Sequence, residues 1–181
     1  MDKPKPGMSI TPAKYYTYDY QHASNLNPLL HNIILDNIHH NVMGGGSITP
    51  MDLHTRGVVE VDTLIKWITG IIPDVAYKII SDGEDAGGYG FNVNSFKINE
   101  CWGIYYNKGQ QVVQHNHFPY TLSFCYCVSA PPKSSPFILE GESITPIPGR
   151  VIFFLSHKYH GTLPSEVDGR CVITGNILYV P

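Results

Sequence analysis

Apolar residues recur at helical spacing in the first half of the chain and at strand spacing in the second. In "NPLLHNIILDNIHHN", Leu29, Leu30, Ile33, Ile34 and Ile38 fall on one helical face. This pattern predicts a helix from about residue 27 to 40, with Asn27 as cap and Pro28 in the first turn. In "DTLIKWITGIIPDVAYKIIS", Leu64, Trp67, Ile68 and Ile71 repeat the pattern after Asp62 or Thr63 as cap. Pro73 is expected to kink or end that helix, with a second one running through Ile80. Between the two helical stretches, "GGGSITP" reads as a mobile break, and "SDGEDAGGYG" after them as a plain loop. The loop lacks both the lysine ending of a phosphate loop and the GxGxxG spacing. Near the N-terminus "KYYTYDY" alternates, so that stretch is either an extended arm or an edge strand.

From Phe91 onward the period changes. Short apolar or alternating runs ("FKIN", "CWGIYYN", "QVVQHNHF", "TLSFCYCVS", "PFILEG", "RVIFFLS", "CVITGNILYV") are separated by the turns "NKGQ", "APPKSSP" and "PIPG". Strands at this spacing predict a sandwich or barrel. The expectation is one mainly β domain with N-terminal helices. An arm and supporting helices occupy residues 1–90, and a β body occupies 91–181.

Composition narrows the class. A chain of 181 residues with 43% hydrophobic content can bury a real core, and twelve Tyr with seven Phe favour β structure. A formal net charge of −3 gives no basic excess for a nucleic-acid backbone, so no nucleic-acid partner is expected. Cys101, Cys125, Cys127 and Cys171 form no CxxC pair, which argues against a zinc knuckle. Cys125 and Cys127 read as small core residues. "MDKPKPGMSI" does not read as a signal peptide, and no apolar run nears the roughly 20 residues that span a bilayer. A cytoplasmic, reducing setting with no membrane partner is expected.

Candidate chemistry lies in the β body. His115 and His117 are two apart in "QHNHFP", so in an extended strand both imidazoles face one side. His160 follows the run "GRVIFFLSHKY", and Arg170 comes ten residues later. Two close histidines with a distant third are a common way to build a metal site on a β scaffold, leaving positions open for substrate. His22, His31, His39, His40, His54 and His157 read as surface or locally bonded residues.

These residues carry a resemblance. "YYNKGQQVVQHNHF" resembles the Y-x-x-G-q-x-Y-x-x-H-x-D pattern of prolyl-4-hydroxylase-like iron(II)- and 2-oxoglutarate-dependent oxygenases, with Tyr106, Gly109, Gln110 and His115 in register. "PIPGRVIFFLSHKYHGTLPSEVDGRCVITGNI" resembles the second half of the same superfamily. "HNHFP", "LSFCY" and "RCVITGN" are similar to the branch with an H-x-H motif. The resemblance covers about residues 96–180 and implies a double-stranded β-helix, or jelly roll. It implies Fe(2+) held by His115 and His160, and 2-oxoglutarate as co-substrate with its carboxylate on Arg170. Tyr106, Ser123 and Tyr126 are implied as further co-substrate contacts. The implied activity is a hydroxylase that couples 2-oxoglutarate decarboxylation and dioxygen to oxidation of a peptidyl or small-molecule substrate.

One position departs from the pattern. His117 stands where most of the superfamily has Asp or Glu. His117 itself, or a carboxylate or water from elsewhere, would complete the site, or the site has lost iron. A cupin-type three-His dioxygenase without 2-oxoglutarate is the enzymatic alternative, since "GQQVVQHNH" also fits the cupin opening. The cupin glutamate is missing from "FPYTLS", however, and Arg170 has no role in that reading. The remaining alternative is a non-enzymatic jelly-roll binding protein.

Overall fold

A computed structural model of the chain describes residues 14–39, 45–83, 92 and 94–181. The alternating aromatics form β1 (Tyr16–Asp19), an edge strand pinned by Arg150, whose guanidinium donates to both Asp19 oxygens at 2.7 and 2.8 Å. Most of the glycine-rich loop at 81–90 lies outside the described residues, as do His40, Gly44 and Phe91.

The first helix, α1 (Ala23–Asp36), starts and ends about one turn earlier than its caps suggest. Asn27 is not a cap. It is buried inside the helix, where its amide donates to the Val128 carbonyl and accepts from the Tyr126 hydroxyl. Pro28 costs only a bond near the helix start, so it does not stop the helix. The second, α2 (Val59–Ser81), runs unbroken through Pro73. Ile68, Ile72, Val75, Ala76 and Ile79 bury on both sides of the proline, so packing outweighs one lost backbone bond. No helix among the described residues is long and apolar enough to cross a membrane.

Among the described residues nine strands make two antiparallel sheets. The others are β2 (Ser47–Ile48), β3 (Phe96–Tyr106), β4 (Leu122–Ser129), β5 (Phe137–Leu139), β6 (Glu142–Ile144), β7 (Arg150–Leu155), β8 (His160–Thr162) and β9 (Arg170–Tyr179). The large sheet has the order β1-β7-β4-β9-β3-β2 and the small one β6-β5-β8. The presumed break at "GGGSITP" therefore contains a paired strand, β2, on β3. The run "QVVQHNHF" does not form a regular strand. It is an extended segment joined to β8 by backbone bonds and the isolated bridge His115–His160. Gly161 permits this crossing, because a Cβ there would sit 2.6 Å from the Val112 carbonyl oxygen.

Strand alternation separates two cores. Phe124, Tyr126, Val151, Phe153, Ile173 and Ile177 pack under α1 and α2. Trp102, Ile104, Tyr106, Cys125, Ile152, Phe154 and Val172 face the small sheet, against Phe137 and Leu139. The alternation breaks at the far end of β4, between Cys127 and Ser129, and in β3, where a bulge lies between Ile98 and Glu100. Ile98 pairs with Ile177 on the helix side, but after the extra residue Glu100 pairs with Asn176. The bulge thus turns Glu100 to the inner face.

Candidate metal centre

His115, His117 and His160 arrive from two segments at one end of the space between the sheets. His115 and His160 exchange both backbone hydrogen bonds, at 3.0 and 2.8 Å, and the His117 amide donates to the Ser156 carbonyl at 2.8 Å. This short antiparallel contact brings together residues far apart in sequence. One ligand atom from each ring lies within 4.8 Å of the others. His115 Nε2 is 3.2 Å from His117 Nε2, and the three ring centroids are 4.5–4.9 Å apart. The walls are aromatic: Trp102 lies against His117, and Phe154 and Phe137 against His160.

Burial keeps two of these rings neutral. Desolvation, with smaller help from neighbouring imidazoles, lowers the His117 pKa from 6.5 to about 4 and that of His160 from 6.5 to about 3. At neutral pH both rings are therefore uncharged, each with one nitrogen lone pair and one N–H. The same shift makes the metal-free fold acid-sensitive. Unfolded histidine takes up a proton below 6.5 while these folded ones resist it. The stability they allow is complete above pH 6.5 and is lost as pH falls toward 4 and then 3. Denaturant titrations of the metal-free protein at pH 7, 5.5 and 4.5 should show this fall, and a His117→Gln/His160→Gln variant should show a shallower one.

Arg170 opens β9 beside Tyr106, its direct partner across the β3–β9 ladder. Its guanidinium stacks on the Tyr106 ring, 4.6 Å from the centroid, and is 1% exposed. Nε and Nη1 are buried without any hydrogen-bond partner. Among the described residues no carboxylate pairs with this cation. The side chains around it stay neutral. Burial raises the Tyr106 hydroxyl above its usual range, and pushes the Cys125 and Cys127 thiols up to about 11 and about 12. A buried, always-charged group with unsatisfied donors is costly. It is also shaped to take a carboxylate through two parallel bonds.

Ser123 faces the same interior. It is buried and hydrogen-bonds Ser156 at 2.8 Å and Asn176 at 2.9 Å. Tyr126 does not join the site. Strand parity turns it to the helix side, where its hydroxyl donates to Asn27 and its ring meets Trp67. The sequence reading missed Glu100 and Asn176. Asn176 Nδ2 is 2.9 Å from Glu100 Oε2 and 3.4 Å from His117 Nδ1. The run "RCVITGN" carried Asn176, but nothing in the sequence marked the bulge that turns Glu100 inward.

Comparison with known proteins shows the fold. No family model matches the sequence, and neither does any curated protein. Among solved structures, a prolyl-4-hydroxylase of Pseudomonas putida aligns over 93% of this chain and 94% of its own, with TM-score 0.64 and 17% identity. A viral collagen prolyl hydroxylase from Paramecium Bursaria Chlorella virus-1, solved as its 2OG complex, aligns over 93% and 98%, with TM-score 0.64 and 14% identity. An oxidoreductase of the 2OG-Fe(II) oxygenase family from Burkholderia pseudomallei covers 91% and 85%, with TM-score 0.63 and 12% identity. The chain has the β-rich fold of these oxygenases.

Proposed function

From a fold shared with prolyl hydroxylases and other 2OG-Fe(II) oxygenases, we propose that this protein is an iron(II)- and 2-oxoglutarate-dependent oxygenase, acting as a hydroxylase on a peptidyl or small-molecule substrate. Its two sheets are read as the double-stranded β-helix of that class. The strands from β3 onward would form the catalytic body, with α1, α2 and the edge strands β1 and β2 as its support, in a single domain.

The observation that carries the reading is Arg170. A buried guanidinium with two orphaned nitrogens, in the same interior as three convergent histidines, fits a ligand with a carboxylate at one end and a metal-binding group at the other. 2-Oxoglutarate is such a ligand. The donor set also fits the metal, because imidazoles held neutral suit ferrous iron. His115, His117 and His160 would hold the ion, Arg170 the far carboxylate, and Tyr106, as a neutral phenol stacked on Arg170, would keep that fork in place. Ser123 would support the site through Asn176. When bound, the iron and 2-oxoglutarate supply the dioxygen-dependent oxidation of substrate, and the protein supplies placement and a dry, aromatic-walled site. A cupin-type dioxygenase or an inert binding module gives Arg170 no anion to hold.

The test is direct. Protein loaded with Fe(2+) under nitrogen should bind 2-oxoglutarate with one site per chain, and admission of air should then consume it with release of succinate. An iron-loaded protein that binds no 2-oxoglutarate ends the assignment.

A further inference from the structure

His115 and His160 are arranged alike. Each turns Nδ1 onto a backbone carbonyl two residues back, Val113 at 2.9 Å and Lys158 at 3.0 Å. A carbonyl only accepts, so the proton of each neutral ring sits on Nδ1 and Nε2 keeps its lone pair. Both rings are preset as Nε2 ligands.

His117 is arranged the other way. Its Nδ1 faces the Asn176 side-chain amide at 3.4 Å. The amide atom there must be nitrogen, because the same atom lies 2.9 Å from Glu100 Oε2 and a carboxylate cannot donate. The amide oxygen faces the other way and accepts from Ser123 Oγ at 2.9 Å, and Ser123 lies 2.8 Å from Ser156 Oγ. Glu100, Asn176, Ser123 and Ser156 thus form one polar row across the inner face of β3, β9, β4 and the end of β7. A donor aimed at Nδ1 makes that atom the acceptor. The proton of neutral His117 is then on Nε2, pointing at His115 Nε2 3.2 Å away.

We propose that Glu100, acting through Asn176, holds His117 in the tautomer that withholds its Nε2 lone pair, so that His115 and His160 capture the metal and His117 joins later and weakly. The proposal rests on the metal-centre reading above. For His117 to join, the Nε2 proton leaves to solvent, Nδ1 takes one up, and the Asn176 amide turns its oxygen to receive it; the ring's net proton count does not change. Turning the amide sets its oxygen against the Glu100 carboxylate, acceptor against acceptor. Glu100 therefore opposes the change. Glu100 and Asn176 are positioning residues, acting on the metal through His117.

Exchanging the acid and the amide tests this. In a Glu100→Gln/Asn176→Asp variant the row keeps its hydrogen bonds, but a carboxylate oxygen faces His117 Nδ1 and presets its Nε2. The probe is Co(2+), added without 2-oxoglutarate and followed by calorimetry and by the visible d–d spectrum, which reports the coordination number and geometry of the ion. Outer partners of metal-bound histidines change affinity by roughly 10–100-fold, so the exchange should tighten Co(2+) binding about tenfold or more and alter the spectrum. His117→Ala should cost little in the wild type but about tenfold or more in the exchanged background. Equal affinities in the two backgrounds, or an equal cost of His117→Ala in both, overturns the proposal. If thermal melting shows that the exchanged protein is unfolded, Glu100→Ala takes its place. It frees the amide to turn and should also tighten Co(2+) binding, and no tightening overturns the proposal. If His115→Ala and His160→Ala leave wild-type Co(2+) affinity intact, the metal-centre reading falls, and this proposal with it.

Discussion

Arg170→Ala should abolish 2-oxoglutarate binding while leaving metal binding nearly intact. The guanidinium is buried, its Nε and Nη1 have no partner, and its ring neighbour Tyr106 cannot replace its charge. Removing one member of a buried charge pair costs about 2–5 kcal/mol, which is roughly thirtyfold to several thousandfold in co-substrate affinity. Arg170→Lys should recover only part of this, because an ammonium lacks the planar fork. Arg170→Met makes a second, opposite prediction. It removes the unpaired buried cation and roughly keeps its volume, so the ligand-free protein should become more stable even as 2-oxoglutarate binding disappears. Anaerobic titration of 2-oxoglutarate into the metal-loaded variants, with denaturant melts of the ligand-free ones, would read both effects. Equal 2-oxoglutarate affinity in wild type, Ala and Lys variants would remove Arg170 from the site.

His115→Ala and His160→Ala should each remove tight metal binding, with a loss above about 100-fold, since even outer partners of metal ligands cost 10–100-fold. Each ring is held by its Nδ1 on a carbonyl, so each presents Nε2 as its ligand atom. The loss should also appear as stability. A metal at a hundred times its dissociation constant adds about 2.7 kcal/mol to a wild-type fold, and either variant should forfeit it. Thermal melts with and without Co(2+) make the comparison. An undiminished metal-dependent shift in both variants would mean that the ion binds elsewhere.

Much of this site was legible along the chain because its signals are local. Two histidines two apart in an extended segment must lie close, and His115 and His117 do, although their segment is not a regular strand. Alternation in "TLSFCYCVS" announced a strand with two different faces. The helical repeats located α1 and α2 but misjudged their ends. Local signals at Asn27, Pro28 and Pro73 were outweighed by the burial of Leu30, Ile34, Val75 and Ile79 against the sheet. The likeness of "RCVITGN" to a family strand singled out Arg170, but not that its nitrogens would be buried without partners.

What the sequence determined by itself was periodicity: which stretches are helical, which alternate, and which chemistry-bearing side chains share a strand. The tertiary structure decided which face each alternation presents. A period of two fixes relative parity only, and packing under α1 and α2 sets the absolute sense. That sense sends Tyr126 to Asn27 and Trp67 while Ser123 faces inward. A single extra residue in β3 reverses the parity within one strand and brings Glu100 beside Asn176 and His117. The meeting of His160 with His115 depends on a backbone pairing across 45 residues, whose cost in chain entropy is offset by the whole fold rather than by any local signal.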